Sequence, residues 1–333
     1  MFLDFYKLRE QPFGVTPDPR FLYLSPGHRE ALASIFYGVD AGRGFVALIA
    51  KPGMGKTTLL FHLLQRLGTS ARTVFLFQTQ CNSREFMRFL LLELGCELQG
   101  QPDVVTMHEE FNRCLLQEAK AGRRFVVVVD EAQNLEPSVL ETIRLLSDFE
   151  TPQAKLLQIV LSGQPELADK LDRPSLRQLR QRISLLSGLA PLCPEEVERY
   201  INHRLRVAGH PGGPLFTPAA LKMISQLSEG IPRLINNICF NALSLGCSLR
   251  QKSVEVDVIQ QVAADFDLAG LRSELDAAAV SLATVTSEAR SLEAKITSMP
   301  ARVLGDQRMN PENALAYLQD IIQRLKSNQR LAN

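Results

Sequence analysis

Phe45-Val46-Ala47-Leu48-Ile49-Ala50-Lys51-Pro52-Gly53-Met54-Gly55-Lys56-Thr57-Thr58 runs from an apolar segment through a glycine turn into a stretch with helical periodicity. A short apolar run that ends at a turn reads as a strand buried on both faces. The turn matches G-x-x-x-x-G-K-[ST], with Ala50 at the position of the first glycine. In such a loop, backbone N–H groups and the N-terminus of the following helix cradle phosphates. The lysine reaches the β- and γ-phosphates, and the hydroxyl binds Mg²⁺. Gly53 and Gly55 free the turn, and Ala50 adds only a methyl group at the strand end. Residues 50–58 are therefore the candidate phosphate-binding set, with Thr57 also a metal ligand.

Working outward, further strand-like runs occur at Val74–Phe77, Phe125–Val129 and Leu156–Leu161. Helix-like stretches lie between or beside them at His28–Asp40, Thr57–Leu67, Ser83–Leu94, His108–Ala121 and Pro137–Glu150. Strands that alternate with helices predict a parallel sheet with helical crossovers, an α/β fold. The run Phe125-Val126-Val127-Val128-Val129 ends in Asp130-Glu131-Ala132-Gln133. Two carboxylates thus stand at the C-terminal tip of a buried strand, where open α/β sheets bind ligands. About 75 residues after the glycine loop, this pair reads as a Walker B. Asp130 suits the Mg²⁺ shell, and Glu131 suits polarising an attacking water.

Beyond about residue 190 the strand signal disappears. Pro194–Ala208, Pro218–Glu229, Ile231–Leu245 and Val256–Phe266 all read as helices. Pro194-Glu195-Glu196 suits a helix start, with proline in the first turn and acids near the N-terminus. From Leu268 to Met299, ten apolar positions recur three and four residues apart, an a/d heptad seam. A shorter amphipathic stretch follows Pro311 through Leu325. The expected organisation is a lead-in over 1–44, an α/β domain over 45–190, a helical lid over 191–266 and a coiled-coil-like tail over 267–333.

Composition narrows the function classes. Lys plus Arg number 37 against 36 Asp plus Glu, so the chain is not basic throughout, although a local basic face is compatible with that balance. No apolar run reaches the length of a bilayer span, and Met1-Phe2-Leu3-Asp4 lacks the order of a signal peptide. Six cysteines are spread without a C-x-x-C, which argues against a zinc ribbon and for reduced, structural thiols in a cytoplasmic protein.

Three weaker candidates remain. Gln164, in Leu161-Ser162-Gly163-Gln164-Pro165, ends a strand where a polar group can sense the γ-phosphate, or it marks an ordinary strand exit. Arg173, Arg177, Arg180 and Arg182 read as a solvated helix face, a nucleic-acid patch without interleaved aromatics, or an arginine finger for a neighbour's nucleotide. Arg233 starts a helix of the small domain, either as a phosphate contact or as a surface residue.

The order of these motifs resembles the AAA+ ATPases. Phe5-Tyr6-Lys7-Leu8-Arg9-Glu10-Gln11-Pro12-Phe13, Thr16-Pro17-Asp18-Pro19-Arg20-Phe21-Leu22-Tyr23-Leu24-Ser25, Asp130-Glu131-Ala132-Gln133, Ser162-Gly163-Gln164-Pro165-Glu166-Leu167, Leu179-Arg180-Gln181-Arg182-Ile183 and Gly230-Ile231-Pro232-Arg233-Leu234-Ile235-Asn236 are similar to the general secretion pathway protein A (ExeA-type) family over about residues 1–266. The resemblance implies ATP and Mg²⁺ as cofactors and Mg²⁺-dependent hydrolysis. It implies sensor 1 at Gln164, sensor 2 at Arg233 and a finger in Arg177–Arg182, with Arg182 ahead of Arg177. It also implies an adenine pocket near Pro26, His28 and Arg29. Secretion-type members continue into a membrane span and a periplasmic region, whereas a heptad segment stands here. Relatives in pilus and exopolysaccharide systems share the short architecture. The expected role is an oligomeric ring or filament that remodels a protein partner of a cell-envelope machine. It would be cytoplasmic, or peripheral at the inner membrane through that partner. A DNA-associated regulator of the transposition or initiator type is the alternative, with DNA the less favoured partner. A nucleotide-locked scaffold is the non-enzymatic reading, and the presence of Lys56, Asp130 and Glu131 weighs against it.

Overall fold

A computed structural model describes residues 2–77, 80–96, 100, 102–150 and 155–265. The heptad segment 268–299 and the stretch 311–325 lie outside the described residues. Met1–Ala263 form one compact unit, and residues 264–333 form another.

In the first unit a short helix α1 (Phe2–Phe5) precedes α2 (Pro26–Asp40), β1 (Phe45–Ile49), α3 (Lys56–Leu67) and β2 (Ala71–Leu76). Then come α4 (Ser83–Glu93), α5 (Val104–Lys120), β3 (Arg124–Val129) and α6 (Pro137–Leu146). The α/β part closes with β4 (Leu157–Gly163), α7 (Pro165–Leu171), α8 (Arg177–Arg182) and β5 (Ile183–Gly188). Three helices follow, α9 (Pro194–Val207), α10 (Pro218–Ser228) and α11 (Pro232–Ser248), and α12 covers 256–265.

The five strands are ordered β2-β3-β4-β1-β5 and all pair in parallel. β4, fully buried, lies between β1 and β3. Its C-terminal tip therefore separates the glycine loop from the acidic strand end. One sheet face packs Val127 and Ile159 against Phe86, Phe111, Leu140 and Leu167. The other packs Val46, Val126 and Val160 against Ile35, Leu59 and Leu63. Many helix starts are fixed locally. Ser25 caps α2 by accepting from the His28 N–H, Asn82 and Glu85 form a capping box on α4, and Thr217 caps α10.

Two features differ from the sequence reading. β5 is a fifth strand that the apolar-run criterion passes over: Ser184 and Gly188 are exposed and Ser187 only half-buried along this edge, so it shows no continuous apolar signature. The lead-in also divides. Phe2, Tyr6, Leu8, Phe13 and Phe21 join Tyr200, Ile201, Ile235, Cys239 and Val258 in the core of the helical part, while α2 packs on the sheet. Burial of these aromatic rings wraps the N-terminus onto the helices. Arg204 fastens it there. Its buried guanidinium donates to the Pro12 carbonyl at 2.5 Å and to the Tyr200 hydroxyl at 3.0 Å, with its Cζ 4.9 Å from the Phe21 ring centre.

Candidate active site

The loop after β1 turns through Gly53 and Gly55 at φ of +79° and +86°, a region that side chains disfavour. A Cβ on Gly53 would lie 2.8 Å from that of Arg233, whose N–H donates to the Gly53 carbonyl at 3.1 Å. α3 starts at Lys56 with no side-chain cap. Its first amide groups thus face the cleft as ready anion donors. Lys56 is buried, and its Nζ donates to the carbonyls of Ala50 (2.9 Å) and Lys51 (3.3 Å) across the loop. Burial pulls its pKa below the usual lysine value, against the opposing pull of Glu131 and Asp130.

Thr57 Oγ1 donates to Asp130 Oδ2 at 2.5 Å, and the buried Ser162 hydroxyl donates to Asp130 Oδ1 at 2.7 Å. The Glu131 N–H also meets Oδ1, at 3.0 Å. Glu131 sits in the left-handed region at φ +52°, which turns its side chain off the strand line. Its Oε2 accepts from Gln133 Nε2 at 2.6 Å and from Gln164 Nε2 at 3.1 Å. Gln133 also accepts the Gln164 N–H at 3.1 Å. Burial alone would raise the Glu131 pKa. The two amide donors, with the charges of Lys56 and Arg233, outweigh it and hold the carboxyl below its ordinary range.

A cleft of about 290 Å³ joins these groups, lined by Gly53, Gly55, Lys56, Thr57, Thr58 and Glu131 on one side. Opposite them stand residues 14–18 of the N-terminal strap and Tyr200, Arg204, Arg233, Asn236 and Asn237 of the helices. Beside it, a smaller apolar recess is lined by Phe21, Leu22, Tyr23, His28, Met54, Leu192, Tyr200 and Pro232. His28 reaches this recess as a fixed wall: Nδ1 meets the Ser25 hydroxyl at 2.8 Å and Nε2 the Met54 carbonyl at 3.1 Å. Pro26 and Arg29 are exposed on the first turn of α2 and line neither cavity.

The arginine row is not uniform. Arg177 is exposed and has no partner among the described residues. Arg180 lies 3.5 Å from Asp172. Arg182 is held by Asp148, by Ser147 Oγ at 2.8 Å and by the Arg144 carbonyl at 3.3 Å.

Sequence reasoning missed several contributors. Ser162 and Gln133 lay inside quoted motifs, yet Ser162 meets Asp130, and Gln133 the Gln164 N–H, across strand ends. Lys170 on α7 fixes the Gln133 turn by donating to the Gln133 and Leu135 carbonyls. Tyr200 and Arg204, linked to Asn236 through the Tyr200 hydroxyl, lie in no quoted motif.

Residues 39–171 match an AAA domain family. The chain is 41% identical to General secretion pathway protein A of Aeromonas hydrophila over 274 residues, 82% of this chain and 50% of that protein. It thus spans about half the length of this curated relative. Among solved structures, the ORC2 protein of Aeropyrum pernix superposes with a TM-score of 0.60 at 16% identity, over 77% of this chain and 71% of that one. A Walker-type ATPase of Pyrococcus abyssi gives 0.56 at 15% identity, over 94% and 93%. These distant likenesses bear on fold alone. No described helix is long and apolar enough to cross a membrane. By its glycine loop, its acidic strand end and its kinship with general secretion pathway protein A, the chain belongs to the AAA+ P-loop ATPases.

Proposed function

We propose that this protein is an oligomeric, Mg²⁺-dependent AAA+ ATPase that couples ATP binding and hydrolysis to assembling or remodelling a protein partner in a cell-envelope system. The observation that carries the catalytic part is the double hold on Glu131 Oε2 by Gln133 and Gln164. With Oε2 anchored, Oε1 is left to take the proton of an attacking water. Thr57 and Asp130 would hold Mg²⁺; their oxygens converge to 2.5 Å, and Ser162 orients the carboxylate. Bound there, the ion would neutralise charge on the β- and γ-phosphates. Lys56 would exchange its loop carbonyls for phosphate oxygens, Arg233 would act as sensor 2, and the recess lined by Tyr23, Met54 and Leu192 would take the adenine.

A finger from a neighbouring subunit completes the site in this reading. Arg177, exposed and unpaired among the described residues, is the freer candidate, and Arg182 is the one already tied to its own chain. The envelope role and the location inside the cell, at the inner membrane through a partner, rest on the kinship with general secretion pathway protein A. A DNA-associated role draws its support from the exposed Arg173 and Arg177. A salt-sensitive, nucleotide-dependent mobility shift would favour it.

The test is a set of four variants. Lys56→Ala should lose ATP binding, and Glu131→Gln should bind ATP and hold it unhydrolysed. Mixing Arg177→Ala or Arg182→Ala with Lys56→Ala should restore part of the activity, because each supplies what the other lacks. Wild-type turnover by Glu131→Gln would end the assignment of the base. No recovery at any ratio in a confirmed mixed assembly would end the shared-site arrangement.

A further inference from the structure

Outside the nucleotide site, the α4–α5 pair gathers two thiols and a carboxylate. Cys96 follows α4 immediately after Gly95, whose φ of +75° reverses the chain, and the Cys96 N–H closes back onto the Leu91 carbonyl at 3.0 Å. Such a left-handed helix end fixes the direction of the next side chain. On α5, Glu110 and Cys114 are four residues apart and so share one face. The result is a Cys96 Sγ to Cys114 Sγ distance of 3.4 Å, with both residues half-buried. A Glu110 carboxylate oxygen completes the group, and all three donor atoms lie within 4.8 Å of one another. The 18-residue separation of the cysteines gives no metal-site spacing, so the cluster exists only in the fold.

We propose that Cys96, Cys114 and Glu110 form a site for a borderline-soft divalent cation of the zinc class, which staples the end of α4 to α5. Two thiolates and a carboxylate are a donor set that suits zinc and poorly suits Mg²⁺ or Ca²⁺. Zn–S bonds of about 2.3 Å in a tetrahedral site place sulfurs about 3.8 Å apart, so the observed pair needs to spread by only about 0.4 Å. Three protein donors leave the fourth position for water. Glu110 also pairs with Arg113, but Arg113 is well exposed and its charge can pass to solvent when the carboxylate turns to the ion. A disulfide would use the same sulfurs and would give Glu110 no part. None of the three residues lines the nucleotide cleft, so this inference stands apart from the proposed ATPase mechanism.

The test uses the full chain, stripped of metal and kept in a phosphine reductant, with all six thiols counted as free before titration. Cobalt(II) should bind at one equivalent with a thiolate-to-metal charge-transfer band, and zinc should displace it. Thr57 and Asp130 offer only oxygen, so cobalt at the nucleotide site cannot mimic the band. The double variant Cys96→Ser/Cys114→Ser should lose the band, Glu110→Gln should weaken binding at least about tenfold, and Cys247→Ser should leave it unchanged. As a check that needs no variant, zinc should protect Cys96 and Cys114 from alkylation while the exposed Cys193 stays reactive. No band from the fully reduced chain, a band that survives the double variant, or no protection of Cys96 and Cys114 by zinc would overturn the site.

Discussion

At the scale of single residues, the site is a set of pairs that hold one another before any ligand arrives. Thr57 holds Asp130, Ser162 holds its other oxygen, and two glutamine amides hold Glu131. The last hold has a titration consequence. Hydrolysis that needs ionised Glu131 falls as pH drops through its lowered pKa. Removing one amide leaves burial, the largest raising influence, less opposed. Gln133→Leu should therefore move the acid limb of the kcat profile to higher pH and cut kcat by up to about 10²-fold through misplacement of the carboxylate. ATP affinity should be unchanged, because Gln133 does not line the cleft. A pH–rate series compared with equilibrium ATP binding checks this, and an unmoved acid limb would show that Gln133 only fills space. Lys56 was legible as a residue because it starts the helix after a glycine loop, and Asp130, Glu131 and Gln164 because each follows the end of an apolar strand. Their mutual contacts were not legible. Gln133 meets Glu131 within one turn, but Gln164 meets it only because β4 is inserted beside β3, and strand order is absent from a linear motif.

Among the elements, the buried strands β1, β3 and β4 announced themselves by continuous apolar runs, the edge strand β2 by the shorter run from Val74, and β5 not at all. It is a half-exposed edge that begins directly after Arg182, with serines where a buried strand would carry valine. The N-terminal segment shows the converse. Its prolines read as an irregular lead-in, whereas its phenylalanines decide where it goes, into the helical core. The join between the sheet domain and the helices depends on backbone contact at Gly230. This residue has φ +72° and accepts from the Leu192 N–H at 2.9 Å, and a Cβ there would fall 2.1 Å from the Leu192 carbonyl oxygen. Gly122 has φ +70° and open space around it. Gly122→Ala should thus cost only the left-handed strain, about 1–2 kcal/mol. Gly230→Ala should cost clearly more. It should also weaken ATP binding, because Arg233 and its bond to Gly53 follow three residues later. Urea unfolding of the two variants beside ATP binding separates strain from clash. Equal losses of stability would mean that the Leu192 backbone yields freely.

For the whole molecule, the division at Ala263 and Ala264 sets the last expectation. Every residue placed in the nucleotide site, from the strap at 14–18 to Asn237, belongs to the first unit. The buried Val258, Ile259 and Val262 of α12 also pack into that unit's helical core. A cut after Phe266 therefore keeps the core intact. It removes ten apolar positions at heptad spacing, a seam that a lone helix in water leaves unburied. The shortened chain should keep its melting temperature and its basal ATP hydrolysis, and it should lose assembled mass or partner capture. A fall in basal hydrolysis with unchanged stability would mean that the tail brings subunits together to supply the finger, which ties assembly to catalysis through Arg177 or Arg182. Light scattering that shows unchanged mass, together with unchanged partner capture, would remove the tail as an interaction element. Assembly would then rest on the first unit, whose half-exposed edge strand β5 and exposed Arg177 are the surfaces to examine by substitution.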